Sequence, residues 1–257
     1  NTNAIDNKNP VTVVHTVANT LCGSTAPSLA YFKHTYYLFY RDQTSGDLMY
    51  CQANNINELN GSSGQTLQSS TEAEYANTNY SPTAVVSDDG GTLNVFYMRT
   101  DGVTCHLHTS DAQTWAPGPS TDNGTGTPSL TMGKGDVPAL AILDTSSKVK
   151  ILTNSGHGWQ LGISNSGITL PNVGPEICTF GSKTYIFYTN TEEKIRYRSG
   201  NYNRHDGLSD NNGTHYVDSS EHTRNSPRAV AKQNILYLAF KGQSTTSVYL
   251  RHFDGLN

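Results

Sequence analysis

The sequence has few charged residues and no long apolar run. Charged residues make up 15% of the 257 residues, and the net charge of −4 comes with no basic stretch. Since nucleic-acid-binding proteins normally carry a basic face, nucleic acid is not an expected partner. No segment approaches the roughly 18 consecutive apolar residues of a transmembrane helix. Membrane insertion is therefore not expected either.

Cysteine is scarce, and its spacing does not indicate a metal site. The four cysteines, Cys22, Cys51, Cys105 and Cys178, include no CxxC pair, and their spacing leaves open whether they are thiols or disulfides. His106 and His108 alternate on a predicted strand and therefore share a face. No third ligand falls at a matching spacing, so we interpret them as two surface histidines. No metal and no cofactor is predicted.

Helical periodicity is absent almost everywhere, and a repeat takes its place. Five prolines, separated by 46 to 55 residues, each open a short apolar segment of strand type. They are Pro27, Pro82, Pro128, Pro175 and Pro227. The last copy contains three strand signals in a row, at 229–231, 235–240 and 248–253, separated by Gly, Ser and Thr. This order is typical of an antiparallel meander.

Each proline is followed by a second strand that is apolar and usually rich in aromatic residues. These strands are predicted at 36–40, 93–97, 140–143, 184–188 and 236–240. Copies of about 50 residues with room for four strands predict an all-β fold, a five-bladed β-propeller of four-stranded antiparallel blades.

The last copy ends after three strands, whereas the others have room for four. Residues 11–17 (VTVVHTV) form one strand signal ahead of the first copy. We therefore expect this N-terminal strand to close the last blade beside 246–253. The chain is then one domain, 1–257, with blades at about 27–81, 82–127, 128–174, 175–226 and 227–257 plus 1–26.

Two stretches align without a gap, Thr109–Trp115 (TSDAQTW) and Thr153–Trp159 (TNSGHGW). The pattern resembles the Asp-box of sialidase-like propellers, [S/T]-x-D-x-x-x-W, and the other copies keep only part of it. In such a turn the short polar side chain accepts hydrogen bonds from backbone amides, and the Trp packs between sheets. A structural role is therefore preferred over direct binding for these residues.

The copies as a whole resemble the blade repeats of secreted lectins and of sialidase-superfamily proteins, over residues 27–257. Two kinds of five-bladed propeller fit this resemblance. One is the tachylectin-2-like sugar-binding proteins, and the other is the glycosidases of the invertase and arabinanase type.

A glycosidase needs two carboxylates across its cavity. The residues directly after the five prolines are Ser28, Thr83, Ser129, Glu176 and Arg228. Only Glu176 is a carboxylate, and Arg228 in the next blade is placed to neutralise it. An enzyme is therefore the alternative to a lectin, and a protein-interaction propeller is the third hypothesis.

A lectin needs aromatic faces and hydrogen-bonding side chains, and a ring of blades can repeat such a site. The candidates at the ends of second strands are Arg41, Arg99 and Lys241, and those on or just after third strands are His108, Arg198 and His252. The leading hypothesis is thus a multivalent lectin that binds glycans of glycoproteins or cell surfaces in fewer than five inter-blade pockets. Four N-glycosylation sequons, at Asn60, Asn79, Asn123 and Asn212, favour a secreted protein.

Overall fold

The computed structural model describes residues 25–61, 63–69, 76–133, 137–154, 159–171, 173–203, 207–210, 214–217, 222–232, 234–243 and 248–253. Within these residues the fold is all-β, and the antiparallel sheets are arranged as a five-bladed β-propeller. The predicted fold class is therefore confirmed. Among the described residues, no helix is both long enough and apolar enough to cross a membrane.

The strands follow one another blade by blade along the chain. Blade 1 contains β1 (Ser28–Phe32), β2 (Thr35–Arg41), β3 (Leu48–Ala53) and β4 (Gln65–Thr66), with a 3-10 helix at Ile56–Gly61. Blade 2 contains β5 (Thr83–Val86), β6 (Leu93–Met98), β7 (Val103–Thr109) and β8 (Ala116–Pro117). Blade 3 contains β9 (Thr121–Gly133), β10 (Val137–Asp144), β11 (Lys148–Asn154) and β12 (Trp159–Ile168).

The last two blades differ in how many of their strands are described. Blade 4 contains β13 (Glu176–Phe180), β14 (Lys183–Thr189), β15 (Ile195–Asn203), β16 (Gly207–Asp210) and β17 (His215–Tyr216). Both short strands, β16 and β17, pair with β15. In the described part of blade 5 there are three strands: β18 (Arg228–Lys232), β19 (Ile235–Lys241) and β20 (Val248–Phe253).

Four of the five repeat prolines directly precede an inner strand, as predicted. A proline has no N–H to donate, so the start of a strand is one of the few places in a sheet that accept it. Pro128 differs, because it lies inside the long strand β9. The first residues of β9 pair with β7 of blade 2, and residues 124–133 pair with β10 of blade 3. One strand therefore serves two blades.

Neighbouring blades pack through apolar clusters that lie between their sheets. Phe39 of blade 1 and Trp115 of blade 2 share one cluster, and Phe96 of blade 2 and Leu140 of blade 3 share another. Phe187 of blade 4 packs with Leu238 of blade 5. Side chains alternate across a strand, so β10 contacts blade 2 with Leu140 and blade 4 with Ala139.

We call the end of the propeller at which the inner strands begin the proline end. There the hairpin between the second and third strands contains a residue with positive φ, and the carbonyl of that residue accepts a backbone hydrogen bond from the chain that leads to the next blade. In the four bonds, the carbonyl of Gly46 accepts from the N–H of Thr78, that of Gly102 from Gly124, that of Ser147 from Thr169 and that of Glu193 from Thr223. This repeated bond fixes each connection against its own blade.

The predicted closure by residues 11–17 lies outside the described residues and stays a prediction. Among the described residues, Val248 of β20 would adjoin the closing strand, and its side chain is 71% exposed. An exposed apolar side chain on an edge strand favours a covering segment.

Candidate functional site

The inner strands surround a central cavity of about 1040 Å³, to which all five blades contribute residues. Hydroxyl groups on these strands connect one blade to the next. Ser28 Oγ accepts a hydrogen bond from the backbone N–H of Ala84 at 3.0 Å, and Ser129 Oγ accepts one from Ile177 at 3.0 Å. Ser28 therefore links blade 1 to blade 2, and Ser129 links blade 3 to blade 4.

Glu176 is the best-connected of these residues. Its carboxylate accepts hydrogen bonds from Ser129 Oγ at 2.9 Å, from the backbone N–H of Ala229 at 2.9 Å and from Arg228 at 3.0 Å. The expectation that Arg228 neutralises Glu176 is confirmed. Asp88 also lines the cavity. Glu176 thus links blades 3, 4 and 5, and its acceptor oxygens are used within the ring.

We expect Glu176→Ala to lower the free energy of unfolding by about 3 kcal/mol. That is the lower end of the range for removing one partner of a buried ion pair, since 39% of the Arg228 side chain is exposed. Denaturant unfolding measures the loss, and Glu176→Gln, which keeps an acceptor for Ala229, should lose less. Equal stability of Glu176→Ala and the parent protein would show that the link does not hold the blades.

The stretch Thr109–Trp115 forms the turn that its sequence predicts. Asp111 Oδ1 accepts hydrogen bonds from the backbone N–H groups of Gln113 and Thr114, both at 2.8 Å. These bonds, with a smaller contribution from the Thr109 hydroxyl, lower the pKa of Asp111 to about 2. Trp115 is buried and meets Phe39 of blade 1 edge-on, with ring centroids 5.8 Å apart. The turn and the packing of Trp115 between two sheets are therefore as predicted, whereas residues 155–158 of the second stretch lie outside the described residues.

Sequence analysis placed Arg41, Arg99 and Lys241 at equivalent ends of second strands. The hydrogen-bond register shows that Arg99 does not occupy the position that Arg41 and Lys241 share. Thr83 pairs with Phe96 in blade 2 as Ser28 pairs with Phe39 in blade 1. The residue of blade 2 equivalent to Arg41 is therefore Met98, and Arg99 is one position beyond it. The series was wrong in this respect, because Arg41 lies two residues after Phe39 whereas Arg99 lies three residues after the equivalent Phe96.

Arg41 and Arg99 instead lie beside the same connection, between blades 1 and 2. Arg41 Nε donates to the carbonyl of Thr78, and the backbone of Thr78 forms a bridge with Arg99. Arg99 also makes an ion pair with Asp101. Lys241 is exposed at the end of β19. Whether these three bind sugar stays a prediction.

The third-strand candidates lie on two different sides of their blades. His108 pairs with Asn94 and His252 with Tyr237, at equivalent positions on the side that looks toward the following blade. Arg198 pairs with Ile186, which packs against blade 3, so Arg198 lies on the opposite side. We place His108 and His252 in one series and Arg198 outside it.

His106 is half-buried and packed against its neighbours, which corrects its interpretation as a surface histidine. Its ring stacks on Phe96 with centroids 4.2 Å apart and planes inclined by 9°. Its Nε2 lies 3.0 Å from Asn94 Oδ1, and its Nδ1 is buried with no hydrogen-bond partner. Burial first, and the neighbouring His108 second, lower the pKa of His106 to about 3. His106 is therefore neutral near pH 7.

Two residues beside His106 complete the junction between blades 2 and 3. Gly118 is so close that a Cβ atom there would lie 2.0 Å from His106 Nδ1. Trp159, half-buried, meets Phe96 edge-on at 5.3 Å and donates from Nε1 to the carbonyl of Pro119 at 2.8 Å. Burial also lowers the pKa of His108. The junction thus combines an amide, two neutral imidazoles and two aromatic rings.

The low pKa of His106 predicts that the free energy of unfolding decreases as the pH is lowered. The unfolded chain binds a proton at this residue near pH 6.5, whereas the folded protein resists it down to about 3. Protonation of the unfolded chain therefore leaves the free energy of unfolding unchanged above about pH 6.5 and lowers it as the pH falls below that value. The loss reaches about 2 kcal/mol at pH 5. Denaturant unfolding at pH 7 and pH 5 measures it. His106→Gln should reduce the difference by that amount, and an unchanged difference would contradict the assignment.

Asn94 and His108 of this junction form a cross-strand pair, and equivalent pairs recur around the propeller. On the side toward the following blade, a residue near the start of the second strand faces a residue near the end of the third. The pairs are Tyr37 with Gln52, Asn94 with His108, Ala139 with Thr153, Tyr185 with Ser199 and Tyr237 with His252. Four of them combine a tyrosine or an amide with a hydrogen-bonding partner. Sequence reasoning found the two histidines but not their partners.

The described cysteines Cys51, Cys105 and Cys178 form no disulfide with one another, and Cys22 lies outside the described residues. Burial raises the pKa of Cys178 to about 12. No group of three or more metal-ligating His, Cys, Asp or Glu side chains occurs in the part of the chain that the structure describes.

Comparison with family models finds no match, and comparison with curated protein sequences finds none either. Solved structures do match in fold. A triple arginine-to-alanine variant of AofleA from Arthrobotrys oligospora superposes with a TM-score of 0.68 at 13% identity, over 91% of this chain and 70% of that chain. SapL1 lectin in complex with alpha methyl fucoside gives 0.63 at 12% identity, over 89% and 76%.

The lectin AAL of Aleuria aurantia in complex with Fucalpha1-6GlcNAc gives a TM-score of 0.60 at 15% identity, over 90% of this chain and 75% of that chain. Another structure of that lectin is described as a six-bladed β-propeller with a novel mode of fucose recognition. At these identities the likeness establishes the fold. This chain is a β-propeller with one blade fewer than that lectin, and structures of fucose-binding lectins are among its neighbours.

Proposed function

We propose that this propeller is a carbohydrate-binding lectin and that its sites lie between blades, at the recurring cross-strand pair. The observation that carries the proposal is the repetition of that pair at one register position in four blades. An aromatic face that covers sugar C–H groups, beside a side chain that can hydrogen-bond hydroxyl groups, is the usual composition of a sugar site. The lectin structures that share the fold support this proposal.

Burial decides which of the pairs can receive a ligand. Tyr37 of blade 1 and Ser199 of blade 4 are each only 4% exposed, and both members of the blade 3 pair are buried. In blade 2, Asn94 and His108 are half-buried, while in blade 5 Tyr237 is half-buried and His252 is exposed. Two working sites, in blades 2 and 5, are therefore proposed. Such a protein is multivalent with fewer sites than blades.

A glycan-array screen followed by titration calorimetry tests the proposal. Methyl α-L-fucoside is the first probe, because structural neighbours bind fucosides, and the best array ligand is the second. We expect a stoichiometry of two. His108→Ala and Asn94→Ala should each weaken the blade 2 site about tenfold, since each removes about one hydrogen bond worth 1–1.5 kcal/mol.

Arg99→Gln is the matched control, because it changes a polar side chain at the proline end of the same blade. It should leave binding unchanged. Loss of binding in Arg99→Gln with normal binding in His108→Ala would indicate that sugar binds at the proline end, near Arg99, as the arginine-based prediction states. Absence of binding to any glycan, together with turnover of a glycoside, would favour the hydrolase.

A further inference from the structure

The side of blade 4 that looks toward blade 3 has a row of cations beside an exposed aromatic ring. Arg196 pairs across the sheet with Tyr188, which packs in the cluster between these two blades. Arg196 also pairs with Tyr216 of β17 on its other flank. Lys194 precedes Arg196 by two residues, and Arg198 follows it by two, so the three alternate along the chain.

Two of the cations approach the same ring. Arg196 Cζ lies 4.4 Å from the centroid of the Tyr216 ring, and Lys194 Nζ lies 5.6 Å from it. Arg196 also donates a hydrogen bond to the Tyr216 hydroxyl. Tyr216 is 41% exposed. The ring therefore orients the guanidinium while its own edge remains accessible to a ligand.

The charges of this row are only partly balanced. Lys194 Nζ lies 3.7 Å from a carboxylate oxygen of Glu192, whose side chain is 57% exposed. Among the described residues no carboxylate lies within ion-pair distance of Arg196, and its Nε is buried without a hydrogen-bond partner. Two like charges held near one ring repel each other, and an anion beside them would relieve that repulsion.

We infer that Lys194, Arg196 and Tyr216 form a site for the oxyanion of an acidic saccharide, a carboxylate or a sulfate ester. The guanidinium presents planar, paired donors that fit such a group, and the exposed Tyr216 ring offers a face to the sugar. This site is separate from the pair that includes Asn94 and His108. The inference rests on the proposed function, because it names a second class of sugar for the same propeller.

Titration calorimetry at 20 and 200 mM NaCl tests the inference with three probes. Methyl α-sialoside supplies a carboxylate, 6-sulfogalactose supplies a sulfate ester, and methyl galactoside is the neutral reference. We expect one or both acidic probes to bind, at least tenfold more tightly than methyl galactoside, with affinity that falls as salt rises. Comparison of the two acidic probes identifies the oxyanion.

The variant Arg196→Gln should lose at least tenfold in affinity for the acidic probe and bind methyl α-L-fucoside, or the best neutral array ligand, as the parent does. Tyr216→Phe, which keeps the ring, should lose less. As a matched control, Arg224→Gln removes a cation that is paired with Glu193 on the same blade and should bind as the parent does. Far-UV and near-UV circular dichroism confirm that each variant is folded.

Failure of the inference and failure of the proposed function give different results. If neutral glycans bind while neither acidic probe does, or if Arg196→Gln binds the acidic probe like the parent, the inference is wrong and the proposed function stands. If an acidic probe binds in an Arg196-dependent manner but no neutral glycan does, the inference stands and the inter-blade sites are wrong. If nothing binds, both are wrong.

Discussion

Trp115→Ala should lower the free energy of unfolding by about 3–5 kcal/mol, the range for truncating a large buried aromatic residue. Trp115 is 4% exposed and reaches from blade 2 into blade 1, where its ring centroid lies 5.8 Å from that of Phe39 and 6.0 Å from that of Tyr50. Truncation would leave a cavity between two sheets that cannot move together without breaking the ring. Denaturant unfolding followed by circular dichroism measures the loss.

Trp159 is the matched comparison, because it occupies the same position in the next blade and is only half-buried. We expect Trp159→Ala to cost about 1–2 kcal/mol, as less apolar area returns to water, and Trp115→Phe to recover much of the loss in blade 2. If both indoles were quenched freely by acrylamide, the structural role of Thr109–Trp115 would be wrong.

Deletion of residues 1–18 should lower the melting temperature by about 10–20 °C. We propose that residues 11–17 close blade 5 beside β20 and cover the exposed Val248. Loss of such a strand would uncover several apolar side chains, each worth about 1.5–3 kcal/mol when fully buried. It would also leave β20 as an open edge. A total near 5 kcal/mol corresponds to this shift in a chain of this length.

Differential scanning calorimetry measures the shift. Deletion of residues 1–8 is the control, because it shortens the chain but keeps the predicted strand, and it should leave the melting temperature within a few degrees. If the protein without residues 1–18 had the same melting temperature as the full chain, closure by this segment would be ruled out.

Short-range patterns in the sequence were enough to predict the blades. Proline lacks an N–H group and is accepted at strand starts, so Pro27, Pro82, Pro175 and Pro227 marked inner strands correctly. The second strands were also predicted from local composition, since aromatic side chains fit the pleated, half-buried surface of a sheet. Pro128 was the exception, because β9 continues from one blade into the next.

The candidate sites depend on register, which local patterns do not contain. Placing the basic residues by the ends of the second strands put Arg99 level with Arg41, whereas the hydrogen bonds place Met98 there. Asn94 was missed because only the pairing of β6 with β7 brings it to His108. The alternation of Lys194, Arg196 and Arg198 was visible in the sequence, but Tyr216, twenty residues beyond Arg196, is brought to it by β17.

A crystal structure of the protein with its best neutral glycan bound tests the central claim most directly. The account predicts sugar density in the junction between blades 2 and 3, with hydroxyl groups within hydrogen-bond distance of Asn94 and His108 and a sugar face against an aromatic ring. A second molecule is predicted beside Tyr237 and His252. Sugar found only in the central cavity, against Glu176 and Arg228, would contradict the account.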